Sequence, residues 1–85
     1  MVETINVSSR NSTGELAESI LRSLESQNVA VLKAIGAGAV NQAVKGIAAA
    51  SQRGGNLKTE VSFFSVTIDG MEKSGIIMKV RKEEE

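Results

Sequence analysis

Lys33-Ala34-Ile35-Gly36-Ala37-Gly38-Ala39-Val40-Asn41-Gln42-Ala43-Val44-Lys45 is the stretch on which the fold turns. The run that leads into it, Val29 to Ile35, is apolar except for Lys33, the pattern of a central strand covered on both sides. Gly36-Ala37-Gly38 turns the chain, and a helix is expected from 39 to 52. Its buried stripe reads Val40, Ala43, Val44, Ile47 and Ala50, with Asn41, Gln42, Lys45 and Ala49 toward solvent. A strand that feeds a glycine turn opening a helix aims free N–H groups and the positive end of the helix dipole at one spot, which suits a phosphate or carboxylate. A dinucleotide fingerprint would place a third glycine at Asn41 and an acid at the end of the next strand. Neither is present, and a nicotinamide site is excluded. An isolated G-x-G also makes a tight βα turn with no ligand at all.

Working outward toward the N-terminus, Ile5 and Val7 alternate with Thr4, Asn6 and Ser8 in the period of an edge strand over residues 2–8. Ser12-Thr13-Gly14-Glu15 reads as a capping box. The helix it opens runs from 13 to 27, with Leu16, Ala17, Ile20, Leu21 and Leu24 on one face, and Asn28 stops it. Toward the C-terminus, Gly54-Gly55-Asn56 ends the second helix, and strands over 58–68 and 72–81 are joined around Asp69-Gly70, a strong hairpin signal. In the last strand Ile77, Lys79 and Arg81 point one way and Ile76, Met78 and Val80 the other, while Phe63 and Phe64 oppose each other. The expected fold is α/β of the two-layer α+β kind, β-α-β-α-β-β. Right-handed crossovers place both helices on one face of a mixed four-stranded sheet. Apolar residues on the open face then make a self-association surface, and a homodimer or higher homo-oligomer is expected.

Eighty-five residues with 41% apolar and 24% charged residues fit one folded domain, with residues 82–85 a frayed acidic tail. Without cysteine or histidine there is no disulfide, thiolate nucleophile or imidazole base, and no histidine for a hydrolase triad beside Ser8 and Ser9. Glu15, Glu18, Glu25 and Asp69 each have a structural place in a cap, a helix surface or a turn, so no enzyme, metal or cofactor is expected. No segment is long and apolar enough to span a bilayer, and residues 1–10 lack a basic region followed by an apolar stretch, so a cytoplasmic protein without a membrane partner is expected.

The net charge is +0, but three of the ten acids are Glu83, Glu84 and Glu85, leaving ten cations against seven acids in the body. No acid lies between Glu25 and Glu60, whereas Lys33, Lys45, Arg53 and Lys58 do, so a positive patch is expected from the middle of the chain. Arg10, in the first βα loop, shares a sheet edge with the glycine turn, because both follow parallel strands at their carboxyl ends. Arg10, Asn41, Gln42 and Lys45 therefore converge by topology around Gly36 and Gly38. With two Phe and no Trp or Tyr, contact with phosphate backbone rather than base readout is the form of binding this composition supports.

The run from Ala34 to Lys45, the Ala-rich helix after it, Ile68-Asp69-Gly70 and the opening Val7-Ser8-Ser9 closely resemble the bacterial stage V sporulation protein S family. That family resembles in turn the archaeal Alba chromatin proteins, small β-α-β-α-β-β dimers that bind DNA or RNA. The resemblance implies the same architecture, with the two βα turns and the hairpin as the nucleic-acid surface. It sets Arg10 near the basic first loop of Alba and aligns Lys33 and Gly36 with a Lys and Gly of its second turn. Where Alba carries arginines around that glycine, this chain has Ile35 and Ala37, and its hairpin is short, with Asp69 and Glu72 in or beside it. The expected site is thus Arg10, Lys33, Gly36, Gly38, Asn41, Gln42 and Lys45, holding DNA or RNA phosphates with low sequence specificity in a non-catalytic, regulatory protein. Two other readings remain: a protein-interaction module in developmental, sporulation-type control that touches no nucleic acid, and a small anionic ligand at the glycine turn.

Overall fold

The computed structural model describes residues 2–83. Alternation brings Ile5 and Val7 inward from β1 (Thr4–Val7). α1 (Thr13–Gln27) starts where the sequence says: Ser12 is extended and its hydroxyl accepts from the Glu15 N–H at 3.3 Å. It ends at Asn28, in the left-handed region at φ 64°, whose N–H returns to the Leu24 carbonyl at 3.1 Å. The Gln27 side chain fastens that end of the helix to the start of the chain. Its amide donates to the Glu3 and Val29 carbonyls and accepts from the Glu3 N–H, much as a neighbouring strand would.

β2 (Ala30–Ile35), α2 (Ala37–Gly54), β3 (Leu57–Ile68) and β4 (Met71–Lys82) complete the expected order. The sheet is mixed, in the order β1-β2-β4-β3, with β1 parallel to β2 and the other neighbours antiparallel. Both helices lie on one face, and Leu16, Ile20, Leu24, Leu32, Met78 and Val80 are buried between the layers. Asp69 and Gly70, at φ 51° and 78°, form a two-residue turn of the kind that matches strand twist.

Four expectations change. β2 is central but covered on one face only: Ala30, Leu32 and Ala34 are buried, while Lys33 and Ile35 lie exposed on the other. The buried stripe of α2 is Ala39, Ala43, Gly46 and Ala50, whereas Val40 and Ile47 are half-buried and Val44 is 51% exposed. The small residues face inward because the helices approach closely. A Cβ on Gly46 would stand 2.8 Å from the Leu16 Cβ, and one on Gly54 would stand 2.6 Å from a Leu21 methyl. The hairpin is long rather than short. β2 pairs only with Ile76–Val80 and Gly75 of β4, so the paired segments 65–68 and 71–74 run past the sheet as an arm of ~13 Å. Finally, residues 82 and 83, expected in a frayed tail, are held: Lys82 ends β4 and the Glu83 N–H donates to the Asn56 carbonyl at 3.0 Å. Glu84 and Glu85, also assigned to the tail, lie outside the described residues.

The close helix contact gives a direct check. Gly46→Val should destabilise the fold by about 1–3 kcal/mol through overpacking against Leu16, read as a lower urea midpoint. Gln52→Val, on the exposed side of the same helix, should cost less than about 1 kcal/mol.

Candidate nucleic-acid interface

The chain leaves β1 through a loop that folds on itself. The Ser8 N–H donates to the Asn11 Oδ1 at 2.7 Å, the Asn11 N–H returns to the Ser8 carbonyl at 3.0 Å, and the Arg10 N–H donates to the Ser8 hydroxyl at 3.2 Å. These bonds set Arg10 at the outside of the turn, where it is exposed. The loop is then fixed to α2. Gln42 Nε2 donates to the Asn11 carbonyl at 2.6 Å and to the Thr13 hydroxyl at 3.0 Å. A Cβ on Gly38 would meet the Ser9 Cβ at 3.0 Å.

Gly36 makes the second turn. At φ 92° it adopts a conformation that side chains resist, and no side chain caps the helix it starts. The first helical bond is from the Val40 N–H to the Gly36 carbonyl at 3.0 Å, so the N–H groups of Ala37, Gly38 and Ala39 precede the helix ladder and face the sheet edge. The N-termini of both helices therefore sit on the same edge as Arg10, and their dipoles make that edge favourable to anions.

The expected site residues separate into three groups. Arg10, Gly36 and Gly38 share the edge, and Asn41 and Lys45 are exposed one turn apart on the outward side of α2. Gln42 is half-buried and engaged with the first loop, so it builds the edge rather than facing a ligand. Lys33 lies on the opposite face of the sheet, its Nζ 5.4 Å from the centre of the Phe64 ring.

Charge is also distributed differently from the expectation of a patch drawn from the middle of the chain. By strand register, Lys33, Lys58, Lys73, Lys79 and Arg81 share the open sheet face with one carboxylate, Glu60. Three of these five come from β4. The exposed side of α1 carries Glu15, Glu18 and Glu25 with Arg22, and Arg22 and Glu18 form an exposed ion pair at 3.8 Å. Alternation in β3 and β4 is the signal that identifies the sheet-face set, once their register is known.

Exposed apolar surface lies on both sides of the sheet. On the helix side Val61 is 51% and Phe63 74% exposed, and with Val44 they border apolar hollows between α2 and the β3–β4 hairpin. On the open face, where association was expected, Ile35 is exposed and the directly paired Ile68 and Met71 stand on the arm.

Comparison with known proteins agrees with this geometry. A family model described as Stage V sporulation protein S (SpoVS) matches residues 3–83. Among solved structures, Alba from Thermoplasma volcanium is similar in fold: the TM-score is 0.74 at 17% identity, over 94% of this chain and 100% of that one.

Two substitutions test how the edge is built. Gly36→Val should cost about 1–3 kcal/mol, read as a lower melting temperature, because a β-branched residue resists φ 92°. Gln42→Ala removes two side-chain bonds and should speed amide exchange in the first loop, at a stability cost of about 1–3 kcal/mol.

Proposed function

The chain belongs to the stage V sporulation protein S family, and from that membership and its fold we propose that it is a non-catalytic, regulatory nucleic-acid-binding protein of the cytoplasm that holds DNA or RNA by its phosphates. The observation that carries this reading is the sheet edge on which two helix N-termini, the uncapped turn at Gly36 and the exposed Arg10 meet. Oriented N–H groups and a guanidinium are donors that fit phosphate oxygens, and they read no base. Asn41 and Lys45 extend the donor set along α2, and Lys33 adds charge from the other face. A non-catalytic role is supported by the lack of histidine and cysteine. Among the described residues no helix is long and apolar enough to cross a membrane.

The working form is a homodimer. The groove between α2 and the hairpin consists of two apolar hollows, one edged by Val61 and one by Phe63, that share Val44 and are left open by the helices. Its burial against a second copy would contribute roughly 25 cal/mol per Å² of apolar surface removed from water. Dimerisation would also double the number of phosphate-binding edges.

Light scattering of the parent chain should give the mass of a dimer, and Val61→Glu combined with Phe63→Glu should give that of a monomer; a parent that stays monomeric at all concentrations contradicts the dimer. For nucleic acid, changing Arg10 and Lys45 together to Ala should weaken binding to duplex DNA. It should also lower the slope of log K against log salt by about 2 for each edge engaged, as two lost phosphate contacts per edge require. An unchanged slope contradicts the edge as the binding surface.

A further inference from the structure

Of the five cations of the open sheet face only Lys33 adds charge to the edge reading, and no element covers the set among the described residues. They are not scattered. Lys58 lies directly opposite Arg81, and Lys79 follows two residues before Arg81 on the same face, opposite Glu60. With Lys82 at the strand end, these residues border a cleft of about 860 Å³ that wraps the end of the sheet and reaches Leu24, Asn28 and Thr59 on the helix side. Further along the same face come Lys33, opposite Ile77, and then Phe64, which crosses from β3 onto Gly75 of β4. A side chain at Gly75 would fall inside the Phe64 ring, so that ring lies against the backbone of the next strand with its outer side toward Lys33. Past it, on the arm, stands Lys73.

We propose that this open sheet face binds a single strand of nucleic acid, with Arg81 and Lys79 pairing successive phosphates, and with Lys33 moving off the Phe64 ring to a further phosphate as one unpaired base takes its place on the ring. The inference rests on the nucleic-acid reading above and adds a second surface and a substrate class to it. Charge complementarity selects a polyanion, since five cations face one carboxylate. Same-face residues along a strand repeat every ~6.6 Å, which lets an extended backbone meet one cation per step. An aromatic ring in the middle of a sheet face stacks only on a base that is not already paired, which excludes a duplex. With one ring, the preference among bases is slight.

Phe64 also has a structural role as the cover of Gly75, so the test separates cover from stacking. Phe64→Leu keeps an apolar side chain over the glycine and removes the π face. Lys79→Gln with Arg81→Gln alters only exposed positions. The probes are a fluorescein-labelled 20-mer of thymidine and a labelled 20-base-pair duplex. For the single strand, the Lys79 and Arg81 double variant should lose about 1.4 from the salt slope. Phe64→Leu should weaken binding roughly 5- to 150-fold, with an unchanged melting temperature. Duplex binding should be spared in Phe64→Leu, and the amide signals of Gly75 and Ile77 should move on addition of the single strand. The inference is overturned if single-strand affinity survives both variants, if Phe64→Leu weakens duplex and single strand equally, or if the sheet-face variants change the oligomeric mass instead, which would mean another protein chain occupies the face. A parent that binds duplex but no single strand overturns this inference and leaves the edge reading standing; a parent that binds neither overturns both.

Discussion

The close approach of α1 and α2 sets the layout of everything else. It is made where Gly46 faces Leu16 and Gly54 faces Leu21, positions at which even one added carbon would collide. Because alanines and glycines form that seam, the helix layer is narrow and rests on β1, β2 and β4. The helix-side residues of β3 are left uncovered, which is why Val61 and Phe63 border an open groove with Val44 instead of lying in the core. The same seam draws the start of α2 against the first loop, where Gly38 admits Ser9 and Gln42 ties off the Asn11 carbonyl. One packing choice thus produces both the edge lined by free N–H groups and the open apolar groove.

A net charge of zero conceals a strongly uneven distribution. Glu15, Glu18 and Glu25 lie outward on α1, while the open sheet face on the far side of the molecule carries five cations against Glu60. A polyanion meeting such a molecule is steered to the sheet face or to the dipole-rich edge and kept from the acidic outer side of α1. The arm beyond β2 adds reach but little charge, since Lys73 is offset by Asp69 and Glu72 near its tip.

What the sequence discloses depends on whether the signal is local. Ser12, Glu15 and Asn28 announce α1 to the residue, because a cap and a left-handed stop are formed by neighbours in the chain. Asp69-Gly70 does the same for the hairpin. The orientation of α2 was hidden, because Val44 is more apolar than Gly46 and only the facing helix decides that the smaller residue goes inside. Gln42 looks like a solvent-facing donor in sequence and becomes a brace only when Asn11, far away in the chain, arrives beside it. Lys33 sits three residues before Gly36, yet strand alternation sends it to the opposite face from the outward residues of α2. The sheet-face cations required the pairing of Lys58 with Arg81 and of Glu60 with Lys79 to become one surface.

The central claim is that this domain holds nucleic acid by its phosphates, and the most direct measurement is equilibrium binding of labelled oligonucleotides to the parent chain across a range of salt concentrations. Phosphate contacts release counterions, so log K should fall linearly with log salt and vary little with base sequence. Absence of binding at low salt, or an affinity that does not respond to salt, would contradict the account.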